Sequence, residues 1–142
     1  MAGRAVGLAA VPDQVFAQAM VGPGTAIDPA RGPGEAVAPV DGRLVKLHPH
    51  AFVVVDPAGR GVLVHLGVDT VELRGEGFEL LAAEGDEVTA GRPLVRWDPA
   101  AVESGGRSPI CPVVALDAEP DRLAHLVESG QVVTGDELFT WM

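Results

Sequence analysis

The chain has no tyrosine, one cysteine, one lysine, and only four phenylalanines and two tryptophans in 142 residues. A single thiol, Cys111 between Ile110 and Pro112, cannot close an internal disulfide, so nothing points to an oxidising compartment; it reads as a small buried apolar residue. No apolar run approaches the ~20 residues of a membrane span. The first thirteen residues, with one Arg and a short apolar stretch, lack a secretory pattern, so the expected location is the cytosol. Cations are scarce. Ten Lys and Arg against twenty Asp and Glu give a net charge of −10, with no basic stripe to neutralise phosphates, which argues against nucleic acid. An acidic surface keeps a protein soluble and steers basic protein partners.

Glycine and proline, by contrast, are plentiful. Eighteen Gly and twelve Pro spread along the chain imply many short elements joined by tight turns, which favours an all-β fold, and the length fits one domain, residues 1–142, with no dividing linker. Two pairs of similar segments stand out: Gly3 to Leu8 with Gly42 to Leu47, and Gly85 to Trp97 with Gly130 to Trp141. Members of the second pair each carry a turn glycine, a Val-Thr, a polar turn and a strand ending in Trp. An internally duplicated β unit accounts for both. Strands are expected over Glu35–Val40 and Gly42–Leu47 around a tight bend or hairpin at Asp41-Gly42, over Ala51–Val55 paired with Val62–Val68, and over Leu94–Trp97, Val113–Leu116 and Glu137–Trp141. Phe78–Glu84 suits either a strand or a helical turn. Thr25–Gly34, rich in breakers, reads as loop. Short helices are expected at Ala100–Ser104 and, from the spacing of Leu123, Leu126 and Val127, at Asp121–Val127.

The chemistry concentrates in the run VLVHLGVDTVELRGEGF, Val62 to Phe78. Val62, Val64 and Leu66 alternate with Leu63, His65 and Gly67, so a strand here sends His65 to the face opposite three aliphatic side chains. Upstream, His50, Phe52 and Val54 share an alternation in HPHAFVVV, and pairing of the two strands would bring His50 to His65. A carbonyl in the Leu66-Gly67-Val68 turn is a suitable acceptor for Nδ1–H of His65, leaving Nε2 as the nucleophile. A neighbouring imidazole can donate to phosphoryl oxygens.

His-Leu-Gly-Val-Asp-Thr-Val and Gly-Glu-Gly-Phe in fixed order, with His-Ala-Phe and Ala-Pro-Val-Asp-Gly-Arg-Leu before them, resemble the enzyme IIA domain of the glucose-type sugar phosphotransferase system, from about Val11 to the C-terminus. The resemblance implies an all-β, antiparallel sandwich (barrel-sandwich) of two duplicated halves with one or two short helices. It makes His65 the phosphorylated residue and His50 its partner. It implies the phosphocarrier protein HPr as donor and an enzyme IIB domain of a sugar permease as acceptor, with no cofactor required. In the family, the phosphorylation state also controls transporters and metabolic enzymes, so a regulatory module without turnover is the second class to weigh. Leu63, Phe52 and, from a matching Val-Phe-Ala segment, Phe16 would form an apolar docking collar, the alternative for each being core packing. Asp69 would meet a basic side chain of the donor or cap the turn.

The chain departs from the family at His48, where a small hydroxyl residue is usual. Three imidazoles, His48, His50 and His65, raise a zinc site and a peptidase of the lysostaphin type. Against the peptidase, no further carboxylate motif supplies a general base, and Pro49 strains a simple same-face geometry. Incidental zinc at His50 and His65 remains compatible. A lipoyl or biotinyl carrier, suggested by APVDGRLV and GDEVTAGRPLV, needs a hairpin lysine, and Lys46 lacks that setting.

Overall fold

Alternating and β-branched segments condense into one eight-stranded antiparallel sheet in the computed structural model, which describes residues 1–142. One end of the sheet is built from β12 (Gln131–Val132), β1 (Gly3–Ala5), β2 (Gly24–Pro29) and β10 (Cys111–Ala115). The other is built from β6 (Gly61–His65), β5 (Ala51–Val55), β4 (Gly42–His48) and β8 (Glu87–Val88). The order β12-β1-β2-β10-β6-β5-β4-β8 reads equivalently from either end. The duplication seen in the sequence accounts for this: Gly3 pairs with Val132 and Arg4 with Gln131, as Gly42 pairs with Val88 and Arg43 with Glu87. The Val64–Val113 pair lies where the halves meet. A three-stranded sheet of β3 (Gly34–Val37), β9 (Pro93–Trp97) and β7 (Glu79–Leu80), and a ribbon of β11 (Leu123–Ala124) with β13 (Thr140–Trp141), complete the all-β sandwich. Two short helices, α1 (Gln14–Ala17) and α2 (Pro99–Ser104), interrupt it, each capped by an Asp whose side chain accepts a backbone N–H. No helix is long and apolar enough to cross a membrane.

The main core fills the space between the sheets, with Phe52, Val54, Val62 and Val64 from one and Val95 and Trp97 from the other. The Phe78 and Trp97 rings stack there at 5.9 Å. A second, smaller core lies on the other face of the large sheet, where the connection between β1 and β2 covers Ala26 and Val114 with Leu8, Val11 and Phe16. That cover thins at β6, leaving Leu63 and His65 on its outward face, and Pro49-His50 in the β4–β5 turn, half-buried.

Two expectations are corrected, and one pair of alternatives is resolved. Thr25–Gly34 is not all loop: Gly24–Pro29 is a buried strand, whose Thr25 Oγ1 donates to Val127 O at 2.6 Å. The Asp41-Gly42 bend carries the chain from one sheet to the other, because β3 pairs with β9 while β4 pairs with β5 and β8. Asp121–Val127 does not form a helix. Leu123 and Ala124 pair instead with Trp141 and Thr140, and His125 takes a φ of 54° that no right-handed helix admits.

Candidate phosphohistidine site

His65 ends β6. Its neighbours in alternation, Val62 and Val64, are buried in the main core, so pleating turns the imidazole to the opposite face beside Leu63. The chain then reverses at Gly67, whose φ is +79°. That reversal brings Gly67 O to 2.6 Å from His65 Nδ1. A carbonyl only accepts, so Nδ1 carries the proton and the lone pair of the neutral ring sits on Nε2. The turn is pinned on both sides of the carbonyl: Val68 N–H donates to Ser108 O at 2.9 Å, and the fully buried Thr70 donates through Oγ1 to Leu66 O at 2.7 Å.

His50 reaches the same place by a different route from the one its alternation suggested. It is not on a strand. β4 and β5 are joined by the two-residue turn Pro49-His50, with His48 opposite Ala51. Proline presets the first turn position and frees the residue after it from the pleat. The backbone ties His50 to the neighbouring strand, Leu66 N–H donating to His50 O at 2.7 Å. Its ring stands edge-on to His65 with centroids 5.3 Å apart. His48 stacks on the outer side of His50 at 5.6 Å, and Phe16 closes the inner side of His65 at 5.3 Å.

Both rings of the pair are held below the ordinary imidazole pKa of 6.5. For His65 burial is the main cause, opposed by the Gly67 carbonyl and by the charges of Asp13 and Asp69. For His50 burial is again first, followed by His65 and His48. The site therefore presents neutral imidazoles near pH 7. Three imidazoles in a row do not make a three-ligand metal set: no group of three His, Cys, Asp or Glu is placed to hold an ion, so the three-histidine zinc cluster does not form. Burial pushes the Cys111 thiol up to about 12, as expected of an apolar core residue.

The collar differs from expectation. Phe52 is fully buried and cannot meet a partner; it faces the main core with Val54, away from His65. Phe16 is buried in the smaller core and touches the dish only through its contact with His65. Leu63 shares the His65 face and packs half-buried on that same cluster. The exposed apolar groups beside the site are Val15 on α1 and Val71 in the turn after Asp69, 44% and 57% exposed. Asp69 is exposed, in left-handed backbone, and caps nothing with its side chain. Asp13, half-buried and capping α1 through Val15 N–H at 2.8 Å, lies on the other flank of His65. Sequence reading missed Asp13 and both valines. An Asp two residues ahead of Val15-Phe16 was the available signal for the cap.

Comparisons with known proteins bear on the fold and the family. The glucose permease IIA from Mycoplasma capricolum superposes with a TM-score of 0.88 at 35% identity, over 97% of this chain and 89% of that one. The glucose-specific EIIA component of the phosphotransferase system from Staphylococcus aureus is 37% identical over 138 residues, 96% of this chain and 82% of that protein. Its Staphylococcus epidermidis counterpart is 36% identical over the same span. The family model described as phosphoenolpyruvate-dependent sugar phosphotransferase system, EIIA 1, matches residues 1–120, reaching further toward the N-terminus than the motifs alone suggested. Fold and relatives together define a phosphotransferase component with a IIA-type β-sandwich. The chain belongs to the EIIA 1 family of the phosphoenolpyruvate-dependent sugar phosphotransferase system.

Proposed function

We propose that residues 1–142 act as one domain that carries a phosphoryl group on Nε2 of His65, taking it from phosphorylated HPr and giving it to an enzyme IIB domain of a sugar permease in the cytoplasm. The observation that carries this reading is the 2.6 Å contact of His65 Nδ1 with Gly67 O, made in an open dish with a second imidazole 5.3 Å away. The Nε2 lone pair attacks phosphorus as the donor's P–N bond breaks, and the proton stays on Nδ1, donated in a hydrogen bond to the Gly67 carbonyl. Positive charge arising on the His65 ring is shared with that carbonyl. His50 donates to the phosphoryl oxygens, stabilising the negative charge between the rings. Neither metal nor nucleotide is needed for an in-line exchange between two imidazoles. The relatives are named glucose-specific, and glucose uptake is the process this reading assigns.

Both flanks of the dish support docking by a basic partner. Asp13 and Asp69 offer carboxylates to cations at the rim, while Val15, Val71 and Leu63 give the apolar contact. A shallow site suits partners that must present their own reactive side chain.

Incubation with phosphoenolpyruvate, enzyme I and HPr tests this directly. The protein should gain the mass of one phosphoryl group, and His65→Ala should gain none. A regulatory module without turnover would show no gain in either protein, and retained labelling of His65→Ala would refute the assignment. His50→Gln should accept the group and fail to hand it to a IIB domain; wild-type onward transfer would remove His50 from the mechanism.

A further inference from the structure

Directly behind the strand that carries His65, on the opposite face of the large sheet, lies a cleft of about 560 Å3. Its floor is made by Val62, Val64 and Val113, where the two halves of the fold meet. Short side chains leave the space open: Ala36 and Ala38, both buried, form one wall. Of the twenty residues around it, fourteen are hydrophobic. Single-domain sandwiches close such gaps with larger side chains, because unfilled apolar space forfeits packing. A volume of several hundred Å3 is in the range of sites that hold small organic ligands.

The mouth decides the charge of the occupant. No Lys or Arg lines the cleft, while Asp136 and Glu137 do. Both carboxylates are already engaged, Asp136 Oδ2 accepting from Val133 N–H and Glu137 Oε1 from Thr140 Oγ1, each at 2.9 Å. The Met1 ammonium at the rim donates to Thr134 Oγ1 at 2.6 Å. Two carboxylates against one ammonium leave the mouth net negative, so anionic ligands, phosphorylated sugars among them, are disfavoured there. We infer that this cleft is a second binding site, separate from the phosphohistidine dish, for a predominantly apolar small molecule that carries no negative charge.

N-phenyl-1-naphthylamine, an uncharged fluorescent probe, and its anionic relative 1-anilinonaphthalene-8-sulfonate provide the test on the full chain. The uncharged probe should bind saturably with one site per chain, and the sulfonate about tenfold more weakly, because of the acidic mouth. The methyl resonances of Val62, Val64 and Val113 should shift most on titration. Ala90 stands exposed at the rim, so Ala90→Trp should fold normally, obstruct entry and weaken probe binding about tenfold, while labelling by phosphorylated HPr is unchanged. Binding should be the same in His65→Ala, which separates this site from the proposed phosphoryl relay. Absence of saturable binding, equal binding of both probes, or largest shifts on the Leu63 and Phe16 face would each overturn the inference.

Discussion

Replacing Gly67 with alanine strikes the element that sets the His65 tautomer. A Cβ added at Gly67 would lie 2.8 Å from Thr70 Cγ2 and 2.9 Å from Ser108 O, both closer than carbon tolerates. Neither neighbour can retreat easily, since Thr70 is fully buried and bonded to Leu66 O, and Ser108 O holds Val68 N–H. A φ of +79° adds about 1–2 kcal/mol for a residue with a side chain, and overpacking about 1–3 kcal/mol more. The expected loss is therefore about 2–5 kcal/mol, a large part of an ordinary domain's stability. Gly59 supplies the control. Its φ is +84° but nothing lies within 4 Å of the added Cβ, so Gly59→Ala should lose only the backbone part. Urea unfolding of the two variants isolates the packing term, and the rate of phosphorylation by phosphorylated HPr reports the carbonyl's position. Slower labelling of folded Gly67→Ala is expected. A Gly67→Ala protein as stable as Gly59→Ala, and phosphorylated at the wild-type rate, would refute the role given to this turn.

Phe52→Ala should cost about 3–5 kcal/mol in urea unfolding because the ring is fully buried. Val71→Asp should change stability by less than about 0.5 kcal/mol yet weaken HPr binding measured by calorimetry. The reverse pattern would restore Phe52 to the collar. His65 and His50 have pKa values lowered from 6.5 by burial. As pH falls below 6.5 the unfolded chain takes up protons first, so stability should drop as pH is lowered through that value and level off below the folded pKa values. The double variant His50→Gln, His65→Gln should flatten that part of the profile, and an unchanged slope would contradict the assignment. Phosphorylation of His65 places negative charge beside His50, so the His50 pKa should rise, read by NMR titration of its ring protons.

Where local pattern and tertiary contact agreed, the sequence was readable. Period-two alternation around His65 gave its face of the strand, because Val62 and Val64 both enter the main core while Leu63 turns to the smaller one. Repeated segments foretold the equivalent registers of Gly3 with Val132 and Gly42 with Val88. Legibility failed where one signal has two physical sources. Thr25–Gly34 reads as loop for its breakers, yet a strand begins there at Gly24. The missing Cβ of Gly24 lets β2 lie against the Val113 carbonyl of β10, so the glycine marks a close strand approach. Phe52 was assigned to the His50 face because alternation was carried through Pro49-His50, where turn geometry suspends it. Leu123, Leu126 and Val127 have helical spacing by coincidence, and the pairing of β11 with β13 outweighs a weak local preference. Val15, Val71 and Asp13 gave little sign, since exposure is set by where neighbouring segments stop.

The most direct measurement is NMR of the protein after phosphorylation by phosphoenolpyruvate, enzyme I and HPr, with phosphorus-to-ring couplings used to locate the group. A single phosphoryl on Nε2 of His65, with the Nδ1 proton still bonded to Gly67 O, is the expected result. A phosphoryl on Nδ1, on His50 or on any other residue would contradict it.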